Sequence, residues 1–346
     1  MSICDDSISL TPRQWHYYSP YDFIFGAWGK TIWGSDADKQ ALENDIASVR
    51  GNFTDVPLVI GEWSAAGTTT ETAARWRYSD FLMRTAKKYG MTAFWWDNGA
   101  TDFDRAAGKF RDPVVADIIL KAAAGKTNSL ADSTTDPSAT SQVSSAFIYN
   151  KAGTAPSDLT ATYILNGNTI SSVRAPDGTT LRSGREIAIS GNVVTFKADY
   201  LSQYIKASTA AGPVANFTIS FSQGASLTTT LINQGPSKLA SSGATATAGG
   251  SDIVIPVTYG SQRKVAAVKA VRADGVCLFD DWTVYLGPLQ QCRMTYSGQW
   301  DFDGTSVTIK AAAVQAVVAA GQTTTFTVEF FPRQPGNSAN YTLSVA

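Results

Sequence analysis

The chain has 346 residues, enough for two or three domains that each bury a core, with the 44% apolar and 16% charged residues of an ordinary soluble protein. A net charge of −1 and a pI near 5.9 give no long-range attraction to nucleic acid or an anionic membrane, so a neutral polymer fits better. No apolar run approaches the ~20 residues of a membrane span, and Met1 to Asp6 is no signal peptide, so at face value the chain is not exported. Cys277 and Cys292 are close enough in sequence to pair, with Cys4 left over, and Asn52, Asn216 and Asn340 each head an Asn-X-Thr sequon. These features favour export. The expectation is an extracellular monomer whose true start, with its signal peptide, precedes Met1.

In chain order, residues 1–124 alternate strand and helix. A strand carrying His16-Tyr17-Tyr18 precedes a helix that Asp36 would cap, with Leu42, Ile46 and Val49 at helical spacing. Pro57-Leu58-Val59-Ile60-Gly61-Glu62-Trp63 then reads as a fully buried parallel strand ending on a carboxylate. Residues 71–89 repeat the helical pattern and Gly90 sits at the C-cap. Phe94-Trp95-Trp96-Asp97 closes a third strand, and Asp112-Pro113 starts a third helix as N-cap and first-turn proline. Three β-α units cannot close an eight-stranded barrel of about 250 residues. This half reads as incomplete.

Residues 125–142 have the Ser/Thr/Asp/Ala composition of a linker, and alternating strands with Gly and Asn turns follow. A second small-residue stretch, 234–251, separates 143–233 from 252–346. Gly191 to Ala198 matches Gly304 to Ala311, and Asn216 to Phe221 matches Thr325 to Phe330, so two copies of one β-sandwich plan are expected. The fold class is thus α/β plus all-β: a partial (β/α)8 barrel followed by two immunoglobulin-like sandwiches.

A carboxylate at the carboxyl end of a buried strand lies where α/β barrels keep their chemistry, and seldom sits there without a partner. Retaining glycoside hydrolysis needs two carboxyl groups about 5 Å apart, and Glu62 suits the nucleophile. His16, the sole histidine, lacks the neighbours a metal site requires. Residues 16 and 18 share a strand face, so His16 and Tyr18 can converge on Glu62, the phenol holding the carboxylate ionised. Trp95 and Trp96 point opposite ways; one packs in the core and the other, by position Trp96, stacks sugar. Trp28 and Trp33 line an outer subsite or pack internally.

These motifs, with Ser19-Pro20-Tyr21-Asp22-Phe23 after Tyr18 and Asn98-Gly99 after Asp97, resemble glycoside hydrolase family 5, in its endoglucanase and xyloglucanase branch. The resemblance covers residues ~10–124 and makes them strands six to eight of the barrel. It implies that Glu62 is the retaining nucleophile, that His16 and Tyr18 are its companions, and that Trp96, with Trp95, stacks sugar beside the scissile bond. No Asn-Glu pair, the family's acid/base signature, occurs in this chain, so the proton donor lies outside it. The sixth strand is weak, with Pro12 where an apolar run is usual. Residues ~143–233 resemble the X2 immunoglobulin-like module, and the last ~95 a second copy or a family 46 carbohydrate-binding module that folds over the cleft, with Trp282 and Trp300 helping to hold a branched glucan.

The expectation is therefore the carboxyl-terminal part of a secreted endo-β-1,4-glucanase acting on cellulose, xyloglucan or mixed-linkage glucan, with no metal or organic cofactor. A catalytically inactive polysaccharide-binding protein is the alternative.

Overall fold

The computed structural model describes residues 11–65, 67–99 and 101–346, and strands predominate in it. Cys4 lies outside the described residues. The first part is a three-stranded parallel sheet in the order β1 (Arg13–Tyr17), β2 (Leu58–Trp63), β3 (Met91–Trp95). Helices α1 (Asp36–Asn52), α2 (Thr72–Lys88) and α3 (Pro113–Ala123) complete three β-α units.

Helix α1 is capped by Ser35 rather than Asp36: Ser35 Oγ accepts from Asp38 N while Asp38 caps the Ser35 N–H in return, a reciprocal box that a lone first-turn aspartate cannot form. Glu71 caps α2 through Ala74 N, and Asp112 caps α3 through Val114 and Val115 N. Tyr17, Leu58, Ile60, Trp63 and Met91 are buried in the core that these helices share. Gln14, His16, Thr92, Phe94 and Trp96 are exposed, Phe94 by 58%. Parallel sheets normally have both faces covered. The side bearing these exposed residues is open.

Two eight-stranded units follow, each of two four-stranded sheets. In the first, one sheet orders Ile187–Ser190, Val193–Phe196, Leu159–Ile164 and Leu130–Ala131. The other orders Phe147–Lys151, Leu227–Gln234, Gly212–Phe221 and Ile170–Arg174. The second unit repeats this plan strand for strand, from Lys238–Leu239 to Ser338–Val345. The matched segments occupy equivalent places, each strand leading through Lys-Ala into a helix. Ala198 N donates to Asp158 Oδ1 (2.8 Å) and Ala311 N to Asp252 Oδ1 (2.7 Å), the same cap built twice.

The two expected linkers are not free tethers. Leu130–Ala131 pairs with Leu159–Ile164, and Asn128 is buried, bonding Asp80, Ile118 O and Ala225 N. Lys238–Leu239 and Gly243–Ala246 are edge strands of the second unit. Their small polar residues resemble a linker because short edge strands bury few large side chains. The first unit shares one continuous core with the β-α part, while the second has its own.

Candidate active site

The site is built where β1 and β2 end. A bulge between Trp15 and His16 shifts the register so that His16 stands opposite Glu62 and Tyr17 opposite Trp63. Glu62 Oε2 accepts from the Tyr18 hydroxyl at 3.0 Å and lies 3.4 Å from His16 Nδ1. Gln14 Nε2 is 3.1 Å from His16 Nε2, an arrangement in which the amide donates and the ring proton stays on Nδ1, facing Glu62. Tyr18 is pushed up to about 12, first by burial and then by its bond to the Glu62 carboxylate, so it remains a donor at neutral pH. Glu62 is thereby held as an oriented, solvent-reachable carboxylate, a third of its side chain exposed. The groups seen to touch it are a phenol and an imidazole, neither a carboxylic acid.

The loop after β3 frames the other side. Asp97 accepts from Gly99 N (2.6 Å) and Asp102 N (2.7 Å), which curls the chain, and Trp96 N donates to Trp63 O (2.9 Å). Trp96 is 41% exposed on the open side of the sheet, whereas Trp95 stacks on Phe110 at 5.4 Å and lies under the Arg75 guanidinium at 5.8 Å. Beneath the loop Arg75 bonds Asp102 (2.5 Å), whose carboxyl is raised by burial against the opposing pull of that arginine.

Two expected sugar contacts are corrected. Trp33 is fully buried, wedged against Tyr78 (5.1 Å) and Phe81 (5.7 Å), because the Gly34 turn folds it onto α2. Trp300 is fully buried in the second unit, its indole N–H donating to Met294 O. Neither ring has a face for a ligand. Trp282, by contrast, is 41% exposed and meets Trp28 edge-on at 4.8 Å, while Trp28 Nε1 donates to Asp280 Oδ2 (3.0 Å). From Glu62 the rings Tyr18, Phe25, Tyr21, Trp28 and Trp282 follow one another at centroid spacings of 4.8–6.0 Å. Phe25 and Gln14 escaped the sequence reading, although Gln14 shares its strand face with His16.

The terminal unit therefore reaches the segment following Tyr18. An added Cβ at Gly29 would lie 2.8 Å from the Arg293 side chain, so glycine permits that close approach. Arg333 donates to Gly29 O (2.8 Å) and Thr31 Oγ1 (3.0 Å), and Thr31 in turn donates to Gln142 (2.9 Å), joining all three parts in one buried cluster. Lys264 donates to Gly67 O (2.7 Å) and Thr70 O (2.5 Å), on the loop that follows β2. Cys277 and Cys292 form a disulfide.

The family model for carbohydrate binding domain X2 matches residues 142–231. The chain carries an X2 domain. Endoglucanase B of Paenibacillus lautus is 27% identical over 271 residues, 75% of this chain and 43% of that protein. Endoglucanase B of Clostridium cellulovorans is 36% identical over 89 residues, 24% of this chain and 20% of that protein. A solved tri-modular endo-β-1,4-glucanase of family 5, subfamily 4, from Bacillus licheniformis superposes with a TM-score of 0.81 at 29% identity. That match covers 96% of this chain and 61% of the other, so the X2-bearing chain spans less than two thirds of the relatives it matches.

Proposed function

We propose that this chain is the carboxyl-terminal part of a secreted, retaining endo-β-1,4-glucanase, its first 124 residues being the last three β-α units of a (β/α)8 barrel and its two sandwiches immunoglobulin-like modules that follow. The observation that carries the reading is the Tyr18–Glu62–His16 cluster at the ends of parallel strands, in a chain that superposes on such an enzyme over 96% of its length. In this reading Glu62 attacks the anomeric carbon and the glycosyl–Glu62 ester is later hydrolysed by water. Tyr18 and His16 hold the carboxylate, Trp96 stacks the sugar at the cleavage point, and Trp282 extends the surface. The open sheet side, with Phe94 and Trp96, is the barrel interior. The proton donor is a carboxylic acid from outside the described residues, and the chemistry calls for no cofactor. The substrate class is a β-glucan, and the disulfide accords with an extracellular location.

A dinitrophenyl 2-deoxy-2-fluoro-β-cellobioside tests the nucleophile without needing the acid. Carboxylate attack forms the glycosyl ester and expels dinitrophenolate with its electron pair, no proton being required. Mass spectrometry should find the added fluorosugar on the Glu62 peptide, and Tyr18→Phe should slow labelling. Unlabelled protein that still binds cellulose would favour the second reading, a non-catalytic polysaccharide-binding protein. That reading is supported by the X2 domain and by the want of a carboxylic acid beside Glu62 among the described residues.

A further inference from the structure

A cleft of about 660 Å³ lies between the β-α part and the first sandwich; Glu62, Tyr18, His16 and Trp96 do not line it, whereas Arg75 and Asp102, beneath the loop after β3, do. Its volume falls within the range of small-molecule sites, which favour such junctions. One wall is the outer face of a sheet. Phe147 pairs with Thr230 and Thr230 with Asn216, so the three form a row across neighbouring strands, and Thr228 stands two residues from Thr230 on the same face. The Thr230 hydroxyl donates to the Asn216 side-chain oxygen at 2.8 Å. The facing wall carries Thr68, Thr70, Thr72 and Trp76.

The charges in the lining are matched pairwise. Arg75 is paired with Asp102 at 2.5 Å and reaches Asp112 at 3.4 Å, Asp112 also accepts from Trp76 Nε1 at 2.8 Å, and Arg111 pairs with Asp104 at 3.2 Å. An ionic ligand at Arg75 or Asp102 would have to break a buried pair, at the cost of a buried unpaired charge, and the half-exposed Arg111 is already matched by Asp104. A neutral ligand would not. Hydroxyl and amide groups beside an aromatic ring suit a molecule with a polar rim and apolar C–H faces.

We propose that this cleft is a second, non-catalytic site for a neutral oligosaccharide, with the row Phe147, Thr230 and Asn216 as its floor. It goes beyond the reading of Glu62 as a nucleophile and does not depend on it. Occupancy also bears on the loops of the candidate active site, because Asp102 accepts from Ser64 Oγ (3.3 Å) and Arg75 donates to Ala65 O (3.0 Å).

The test is a titration of the full chain, as Glu62→Ala so that nothing is turned over, with cellotetraose, followed in the tryptophan indole ¹H–¹⁵N spectrum. The Trp76 indole, bonded to Asp112 in the cleft wall, should shift on binding. Thr230→Tyr fills the cleft from an outward-facing position and should weaken that response at least about tenfold. Asn216→Ala should weaken it without blocking the space, whereas Trp96→Ala should leave it unchanged. A Trp76 resonance that stays fixed at saturating sugar, or one whose response in Thr230→Tyr and Asn216→Ala is undiminished from that of the parent, overturns the proposal. The fluorosugar experiment reads Glu62 alone, so either result can fail without the other.

Discussion

The two sandwiches have the same strand order, the same Lys-Ala entry into a helix and the same aspartate cap, yet they meet the β-α part differently. The first shares its core with that part. The second keeps a separate core and makes contact through polar groups and the long connection 273–299, where the first has only 175–186. That connection carries the disulfide, Asp280, Trp282 and Gln290, which donates to Asp22 at 3.1 Å. One fold plan is thus held by its strands and helix cap, while an insertion decides what the copy touches.

Arg333→Met should break the comparison most sharply. Arg333 is buried with its guanidinium on Glu329, Leu289 O, Gly29 O and Thr31, in a hairpin loop that is longer than its counterpart in the first copy. Leaving the buried Glu329 with one cation fewer should cost about 3–5 kcal/mol, read by chemical denaturation of the second unit. The first should be barely affected. Next, the Cys277–Cys292 bridge has a sequence separation of 15, a loop whose closure contributes about 3 kcal/mol. Reduction should therefore lower the melting temperature of the second unit and release the Trp282 contact, detectable as a change in Trp fluorescence.

Lys264 offers a pH readout that the first copy lacks. It is held at about 7, chiefly by burial, with Arg75 adding to that and Glu71 and Asp112 opposing it. Burial also raises Glu71. The unfolded chain, with its lysine near 10.4, binds more protons than the folded one between those values. The lysine's contribution to stability should accordingly rise with pH from about 7 toward 10, by at most about 1.4 kcal/mol per pH unit. Lys264→Met should flatten that slope, measured by denaturation at a series of pH values. The smallest effects sharpen the likeness: Asp158→Ala and Asp252→Ala should each cost about 1 kcal/mol, in the first and second unit respectively, because each removes one helix cap of the same kind.

Much of this was legible in the sequence because it rests on local periodicity. The three β-α units, the Asp112-Pro113 start and the duplicated sandwich follow from apolar spacing and repeated segments. Glu62, His16 and Tyr18 were legible as a set because strand geometry puts 16 and 18 on one side. What failed depended on distant contacts. Trp33, Trp300, Trp96 and Trp282 look alike in sequence, and only the fold buries the first two. The supposed linkers lacked the large side chains that announce a strand, and the choice of Ser35 over Asp36 as cap turned on a reciprocal bond with Asp38.

The cluster of Thr31, Gln142 and Arg333 joins residues 111 and 302 positions apart in the chain. Closing spans of that length costs chain entropy that grows only slowly with length but must be met before the bonds repay it. Neither the amino-terminal part nor the first sandwich can satisfy this cluster alone. It therefore acts as a completion mark in folding, formed only when the last strand-and-loop segment arrives, and the Gln142 amide, which donates to Arg333 O (2.7 Å), should gain hydrogen-exchange protection later than Ile60 or Leu231.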